Sequence, residues 1–341
     1  MNPSDHPAIT IIIVTYNSEK FLSDLFRSLA AQTYKDFRII AIDNHSFDGS
    51  VKFIRENYPR VSVLENRQNL GFCKGNNQGI KLSKSEYIML CNPDIVMTPD
   101  FVEKLYKKIS TDPSIGCISG KLLKYIDPEN GLTNESKINI IDSTGLQAFK
   151  SRRFIDRGES DEDRGQYNKE EEVIGFSGAM VLFRRTLLED IAVEGEYLDE
   201  DFIAYKDDAD LAWRLQLRGH KALYYPDAVA FHRRAISRRT GLGRKATMIN
   251  RSQKPKWANK MSYRNHLLLL AKNLPIPDFL RHSPWILTYE LQKFLFILLR
   301  EPGSLTALFD FFKHLPKILH KRKIIMSRRT ISSKALNRWF R

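Results

Sequence analysis

Short β-branched and apolar runs alternate with stretches whose apolar residues recur every three to four positions, and this alternation constrains the fold more than any other feature. Ile9 to Val14 and Phe37 to Ile42 are continuous runs of strand length, suited to a sheet buried on both faces. Between them Phe21, Leu22, Leu25, Phe26 and Leu29 mark the buried face of a helix that Ser18 is placed to cap. The pattern repeats as a helix over 49–57, a strand at Val61 to Leu64, a helix from about Gly75 and a strand at Tyr87 to Cys91. That order predicts an α/β domain with a mostly parallel sheet and right-handed crossovers, whose ligands bind at the carboxyl ends of the strands.

The polar residues gather at those ends. The first strand runs into Thr15-Tyr16-Asn17, the second into Asp43-Asn44-His45-Ser46, and the fourth into Asn92-Pro93-Asp94. Residues 125–170, rich in Asp, Glu, Asn and Arg, read as a variable surface excursion, and Val173 to Arg185, with Phe176-Ser177-Gly178-Ala179 at its centre, as the return to the core. A helix follows over Tyr205 to Gly219, then two short strands at Ala222 to Tyr225 and Ala228 to Phe231. With 42% hydrophobic and 11% aromatic residues in 341, the chain has enough apolar side chain for a large core.

Three cysteines without paired or zinc-like spacing exclude a disulfide scaffold and fit a reducing compartment, the cytoplasm. No signal peptide is expected, and the late apolar run from Ile286 to Leu299 is broken by Glu290, Gln292 and Lys293, so no membrane span is expected either. No GxGxxG follows the first strand and no GxxxxGK[ST] occurs, which counts against a dehydrogenase or an ATPase. Gly71, Gly75 and Gly79 fit loop and helix packing better than a phosphate cradle.

Three places carry candidate chemistry. Asp94, fixed by Pro93 beyond a buried strand, is a hard ligand for Mg²⁺ or Mn²⁺ beside a diphosphate, or an ordinary Asx turn. Asp207, Asp208 and Asp210 exceed what a helix cap needs, so at least one requires a raised pKa or a cationic partner, and one so tuned could take a proton from an acceptor hydroxyl. His232 ends a strand before Arg233 and Arg234, either as a metal ligand or as a polar terminus.

Together these positions resemble the family 2 glycosyltransferases of GT-A fold, in particular the bacterial rhamnosyltransferase-like branch. The resemblance rests on Val14-Thr15-Tyr16-Asn17-Ser18, Asp43 to Ser50, Asn69-Leu70-Gly71-Phe72 with Asn76 to Gly79, Asn92-Pro93-Asp94, Ser177-Gly178-Ala179, Tyr205 to Leu211 with Trp213-Arg214, and His232, over about residues 8–237. It implies that Thr15, Tyr16, Asn17, Asp43, Asn69, Gly71 and Asn92 bind a nucleoside diphosphate sugar, and that Asp94 and His232 hold a divalent metal, Mg²⁺ or Mn²⁺. Asn92 stands where other branches carry an acid, which leaves the metal site one charge short. It further implies Asp208 as general base, with Asp207, Gly178 and Ala179 at the acceptor site, and an inverting transfer to a saccharide or lipid-linked saccharide. By the branch the donor is dTDP-rhamnose, with UDP-hexoses or other UDP-sugars as the alternative.

Charge divides the chain at His232. Residues 1–232 carry 29 Lys+Arg against 36 Asp+Glu, and residues 233–341 carry 25 against 4, or −7 and +21 of the total +14. A catalytic domain over 1–237, its nucleotide-binding half about 8–120 and its acceptor half about 121–237, is thus expected to be followed by a basic helical region over 238–341. Apolar clusters beside Lys and Arg fit the inner face of an anionic membrane, a packed layer or a homo-oligomer contact. A polybasic tail also suits nucleic acid, but no nucleic-acid motif is present and none is expected as partner. A sugar-nucleotide-binding protein without turnover is the remaining reading, against which the intact Asp94, Asp208 and His232 argue.

Overall fold

The structure is a computed structural model that describes residues 7–125, 137–233, 251 and 254–341. It opens with β1 (Ile9–Thr15), α1 (Glu19–Ala30), β2 (Phe37–Asp43), α2 (Ser50–Asn57), β3 (Ser62–Glu65), α3 (Gly71–Leu82) and β4 (Tyr87–Cys91). Then follow β5 (Ile95–Met97), α4 (Phe101–Thr111), β6 (Ile115–Tyr125), β7 (Lys137–Ser143), β8 (Leu146–Ala148), β9 (Phe154–Asp156), β10 (Glu171–Val173) and β11 (Met180–Arg184). The chain continues through α5 (Arg185–Ile191), α6 (Asp207–Leu217) and β12 (Lys221–His232) to α7 (Lys256–Asn273), α8 (Ile276–Arg300), α9 (Thr306–Ser327) and α10 (Ser333–Asn337).

The main sheet has the order β10-β12-β6-β11-β4-β1-β2-β3, with β5 paired to β12 and β7 to β6. β3, β2, β1 and β4 run parallel, as the strand–helix alternation predicts, whereas β11 lies antiparallel between β4 and β6, so the sheet is mixed. The continuous apolar run of β1 serves both faces: Ile12 packs into the core on one side, Ile9, Ile11 and Ile13 into the core on the other. Gly75 and Gly79 of α3 are packing glycines, since a Cβ would come within 2.9 Å of Val14 and 2.5 Å of Ile12.

Several local expectations need correction. Ser18 makes no capping bond; its hydroxyl turns to Tyr16, and Asp48 Oδ2 accepts from Glu19 N at 3.0 Å instead. A carboxylate from the neighbouring loop thus satisfies the helix end. α3 begins four residues before Gly75, because Gly71 at φ +83° turns the chain directly into it. The two strands expected at 222–225 and 228–231 are one, β12, which passes Pro226 with a shift in register between Tyr224 and Val229. The excursion at 125–170 is partly core: Asp142 and Arg152 are fully buried. The boundary expected at 237, and Arg234, lie outside the described residues.

The basic C-terminal helices pack on the α/β body. Leu268, Leu269, Ile318, Ile325 and Phe340 share a core with Trp213 and Leu215 of α6. Beneath that layer Asp199 faces two buried ammonium groups, Lys272 of α7 and Lys321 of α9, the latter at 2.6 Å. Lys272 also reaches Asp210 Oδ1 at 2.7 Å, and Lys321 reaches Glu196 and Asp201, each at 2.8 Å. Burial alone would push the Asp199 carboxyl up; Lys272 and Lys321 outweigh it and hold it far below the usual range. Removing one partner of such a cluster leaves an uncompensated buried charge. Lys321→Ala should therefore lower unfolding free energy by ~3–5 kcal/mol in urea melts, and a loss under 1 kcal/mol would show that the cluster is solvated.

Candidate active site

The carboxyl edge of the sheet is where separate strands deliver their polar ends. Thr15 pairs with Asp43 across β1 and β2, and its fully buried hydroxyl donates to Asp43 Oδ1 at 2.8 Å. Asp43 also accepts from the Ser46 hydroxyl at 2.6 Å and the Ser46 N–H at 2.9 Å, so the carboxylate is held on three sides. Asn17, at φ +50°, donates its N–H to Ser46 Oγ and accepts the Phe47 N–H on its side chain, which ties the two loops together. Tyr16 stands outside this knot with 46% of its surface exposed. Asn69 accepts the Gly71 N–H at 2.9 Å, and Gly71 lies so close to Ile203 that a Cβ would meet it at 2.6 Å.

The antiparallel course of β11 decides what stands beside β4. Met180 pairs with Cys91, and the Asn92 N–H donates to Ala179 O at 2.8 Å, so the amino end of β11 meets the carboxyl end of β4. Gly178 therefore lies on the same rim as Asn92-Pro93-Asp94. A Cβ on Gly178 would stand 3.5 Å from Asp207 Oδ2 and 3.3 Å from the Phe72 ring, so α6 and α3 close in on the same point. Asp94 and Asp207 thus flank one short strand start.

His232 reaches this rim because β12 ends against β5, pairing His232 with Ile95. Its Nε2 lies 3.3 Å from Asp94 Oδ1, and its Nδ1 lies 2.8 Å from Asp142 Oδ2 at the end of β7. Burial pushes the imidazole pKa down, but the charge of Asp94 and the bond to Asp142 raise it to about 9. Asp94 and His232 fit a divalent cation once the cation displaces the imidazole's proton: a carboxylate then faces a neutral ring whose far nitrogen is oriented by a buried acid. Among the described residues no group of three His, Cys, Asp or Glu is arranged to hold a metal, so phosphate oxygens and water would have to complete its coordination.

The three acids of α6 are sharply differentiated. Asp210 is fully buried and neutralised by Arg214 Nε at 2.9 Å and by Lys272. Asp207 is raised to about 7 by burial and by the neighbouring Asp208 charge. Asp208 is half-buried at the helix start. The backbone entering this turn is strained, with Ile203, Tyr205 and Lys206 at φ +61°, +71° and +68°. Asn265 of α7 holds it: its side-chain amide donates to the carbonyls of Phe202 at 2.7 Å and of Ala204 and Tyr205 at 2.8 Å each.

Sequence reasoning missed Asp142, Lys272 and the role of Asn265. Asp142 had a signal, an acid directly after Ile138-Asn139-Ile140-Ile141, the same strand-end pattern as Asp43. Lys272 had none, since its partner Asp199 is 73 residues away in the chain. The stretch Ser262 to His266, although family-like, carries no hint of what Asn265 holds about sixty residues away.

The fold is that of the GT-A glycosyltransferases. The structure aligns with the Pyrobaculum calidifontis mannosyltransferase PcManGT in complex with GDP-Man and Mn²⁺ at TM-score 0.52 and 17% identity, covering 96% of this chain and 87% of that one. It aligns with residues 1–349 of Staphylococcus aureus TarS in complex with UDP-GlcNAc at TM-score 0.53 and 14% identity, covering 93% and 88%. The chain belongs to glycosyl transferase family 2, whose family model matches residues 10–192, more than half its length. It is also 26% identical over 234 residues to the poly-β-1,6-N-acetyl-D-glucosamine synthase of Staphylococcus aureus strain COL, covering 68% of this chain and 51% of that protein. The chain thus spans about half the length of the curated relatives it matches.

A carboxyl group raised from 3.8 to about 7 opposes folding in its charged form. The penalty is absent below about pH 4, grows between there and pH 7, and is complete above. Asp207→Asn should accordingly melt above wild type at pH 8, by an amount on the order of 1 kcal/mol or more, and show no gain at pH 4. Equal shifts at both pH values would show that Asp207 carries no such strain.

Proposed function

We propose that the chain moves a sugar from a nucleoside diphosphate donor to a hydroxyl of a saccharide or lipid-linked saccharide, with inversion at the anomeric carbon. The observation that carries this reading is the shared rim: Asp94 with His232, and Asp207 next to the proposed base in sequence, stand on either side of Gly178-Ala179 at the carboxyl edge of the sheet. Tyr16 and the loops ending β1 and β2 take the base and ribose, with Asp43 fixed by Thr15, Asn17 by Ser46, and Asn69, Gly71 and Asn92 along the same edge. Asp208 takes the proton from the acceptor hydroxyl as the oxygen attacks, and Asp207 beside Gly178 lines the acceptor side. Asp94 and His232 would hold Mg²⁺ or Mn²⁺, which when bound supplies positive charge for the departing diphosphate. Relatives of this fold in complex with UDP-GlcNAc and GDP-Man support a nucleotide-sugar donor. dTDP-rhamnose and UDP-sugars are the candidates.

Removal of the base should separate chemistry from binding. Asp208→Asn should transfer sugar ~10²- to 10⁴-fold more slowly, while its melting shifts with dTDP-, UDP- and GDP-sugars, with and without Mn²⁺, match wild type. Normal turnover by the variant would remove Asp208 from the role. A ligand that stabilises neither protein is not the donor.

The same reading sets the protein against an anionic membrane surface. α8 exposes Ile276, Leu280, Leu287, Leu291, Leu295 and Leu298, and α9 exposes Phe309, Phe312 and Leu319. Every exposed ionic residue of 276–341 is Lys, Arg or His. No described helix is long and apolar enough to cross a membrane, so contact by the helix face is the mode proposed. Flotation with vesicles containing phosphatidylglycerol should recover the protein at low salt and lose it at high salt, with ~1 kcal/mol per engaged cation. Binding indifferent to lipid charge would defeat the electrostatic part.

A further inference from the structure

A second concavity lies outside the carboxyl edge. The turn between β8 and β9 and one face of α8 border an open cavity of about 510 Å³, within the size range of small-molecule sites. Its walls include Lys150, Arg153, Trp285, Tyr289, Gln292 and Arg341, whose carbonyl end accepts the Lys150 N–H at 2.9 Å, and no Asp or Glu side chain lines it. Among the described residues neither Lys150 nor Arg153 has a side-chain carboxylate partner, unlike half-buried Lys221, Arg218 and Arg251. Lys150 Nζ instead rests 5.2 Å from the centre of the Trp285 ring, which is half exposed to the cavity side of α8.

We propose that this cavity is a docking site for a phosphorylated saccharide, its phosphate held by Lys150 and Arg153 and its ring stacked on Trp285 and Tyr289. Lys150 and Arg153 without a side-chain carboxylate partner, and no Asp or Glu beside them, favour an anion, and a guanidinium suits phosphate oxygens in particular. Flat aromatic walls beside a neutral amide match the apolar face and hydroxyl edge of a pyranose ring rather than an acyl chain. The cavity is joined to the catalytic side by packing: Tyr289 meets His266 edge-on at 5.9 Å. His266 follows Asn265, whose amide holds the carbonyls of Ala204 and Tyr205 just before Asp208.

The inference deepens the acceptor part of the proposed function and rests on it for its use. The ligand is either a free sugar phosphate or the phosphorylated head of a lipid-linked saccharide. At about 100° of turn per residue, Leu291 and Leu295 share a helix face with Pro284 and Thr288 at the edge of the cavity, so a lipid tail has an exposed apolar path to follow.

The test is calorimetric titration of the full chain, saturated with UDP, by glucose 1-phosphate, glycerol 3-phosphate and methyl glucoside. Glucose 1-phosphate should bind best. Lys150→Ala with Arg153→Ala should weaken it by roughly tenfold or more, whereas Arg300→Ala with Lys313→Ala, an equal change in charge, should not. Trp285→Ala should weaken glucose 1-phosphate and leave glycerol 3-phosphate unchanged, which keeps the inference testable should the double variant fold poorly. Equal losses in both double variants, competition by UDP, or no binding at all would overturn it. Tighter binding of glucosyl farnesyl phosphate in detergent micelles than of glucose 1-phosphate identifies the lipid-linked source; equal binding identifies the free one. Because no donor sugar is present, this binding can fail while transfer through Asp208 stands, and the reverse.

Discussion

The buried ion cluster of Asp199, Asp210, Lys272 and Lys321 is the interaction on which the rest of the structure depends. Two carboxylates this deep are too costly to ionise unless cations meet them, and while Arg214 of α6 supplies one, the two ammonium groups, Lys272 and Lys321, come from the C-terminal helices. Asp210 sits on the same helical turn as Asp207 and Asp208, so the ammonium that neutralises it also fixes the helix that carries the candidate base. Asn265 acts one step earlier on the chain. By gathering three carbonyls of a segment with three residues at positive φ, it holds a backbone that would otherwise relax. The basic third of the chain is therefore partly internal, and only its outward cations remain for an anionic partner.

A second constraint is the direction of β11. Were it parallel to β4, Gly178 and Ala179 would lie at the far end of the sheet from Asp94. Running antiparallel, it places residues with little or no side chain where α3 and α6 converge, and a larger residue at 178 would press on Phe72 and Asp207. The same geometry explains His232. β12 runs parallel to β6 yet pairs antiparallel with β5, so its last residue meets the first residues after Asp94.

How much of this was legible in the sequence follows from how local each feature is. The strands β1, β2 and β4 were readable because burial on both faces leaves a continuous apolar signature, and their polar ends were readable because each directly follows such a run. The demand that one of three clustered acids find a cation or an elevated pKa was also readable, and both outcomes occur, in Asp210 and Asp207. Features set by distant contacts were not. Asp48 replaces Ser18 as cap across 29 residues, Asp142 orients His232 across 90, and the long strand β12 survives a proline because neighbours on both sides hold its register. Composition marked 125–170 as surface, but Asp142 and Arg152 are buried by partners that composition does not contain.

The three acids of α6 show why spacing alone could not assign their roles. They share one helix end and the same favourable dipole, so intrinsic chemistry does not separate them. What separates them is the wall each one faces. Asp210 turns inward to Arg214 and Lys272 and becomes a structural anion. Asp207 turns to Phe72 and Gly178, where burial and the adjacent charge favour its proton. Asp208 is the one of the three that is neither fully buried nor paired with Lys272, which suits the role proposed for it. A pair in which one member tends to keep its proton relieves the repulsion on the other, and in this way Asp207 would support the base role proposed for its neighbour without touching the reacting atoms.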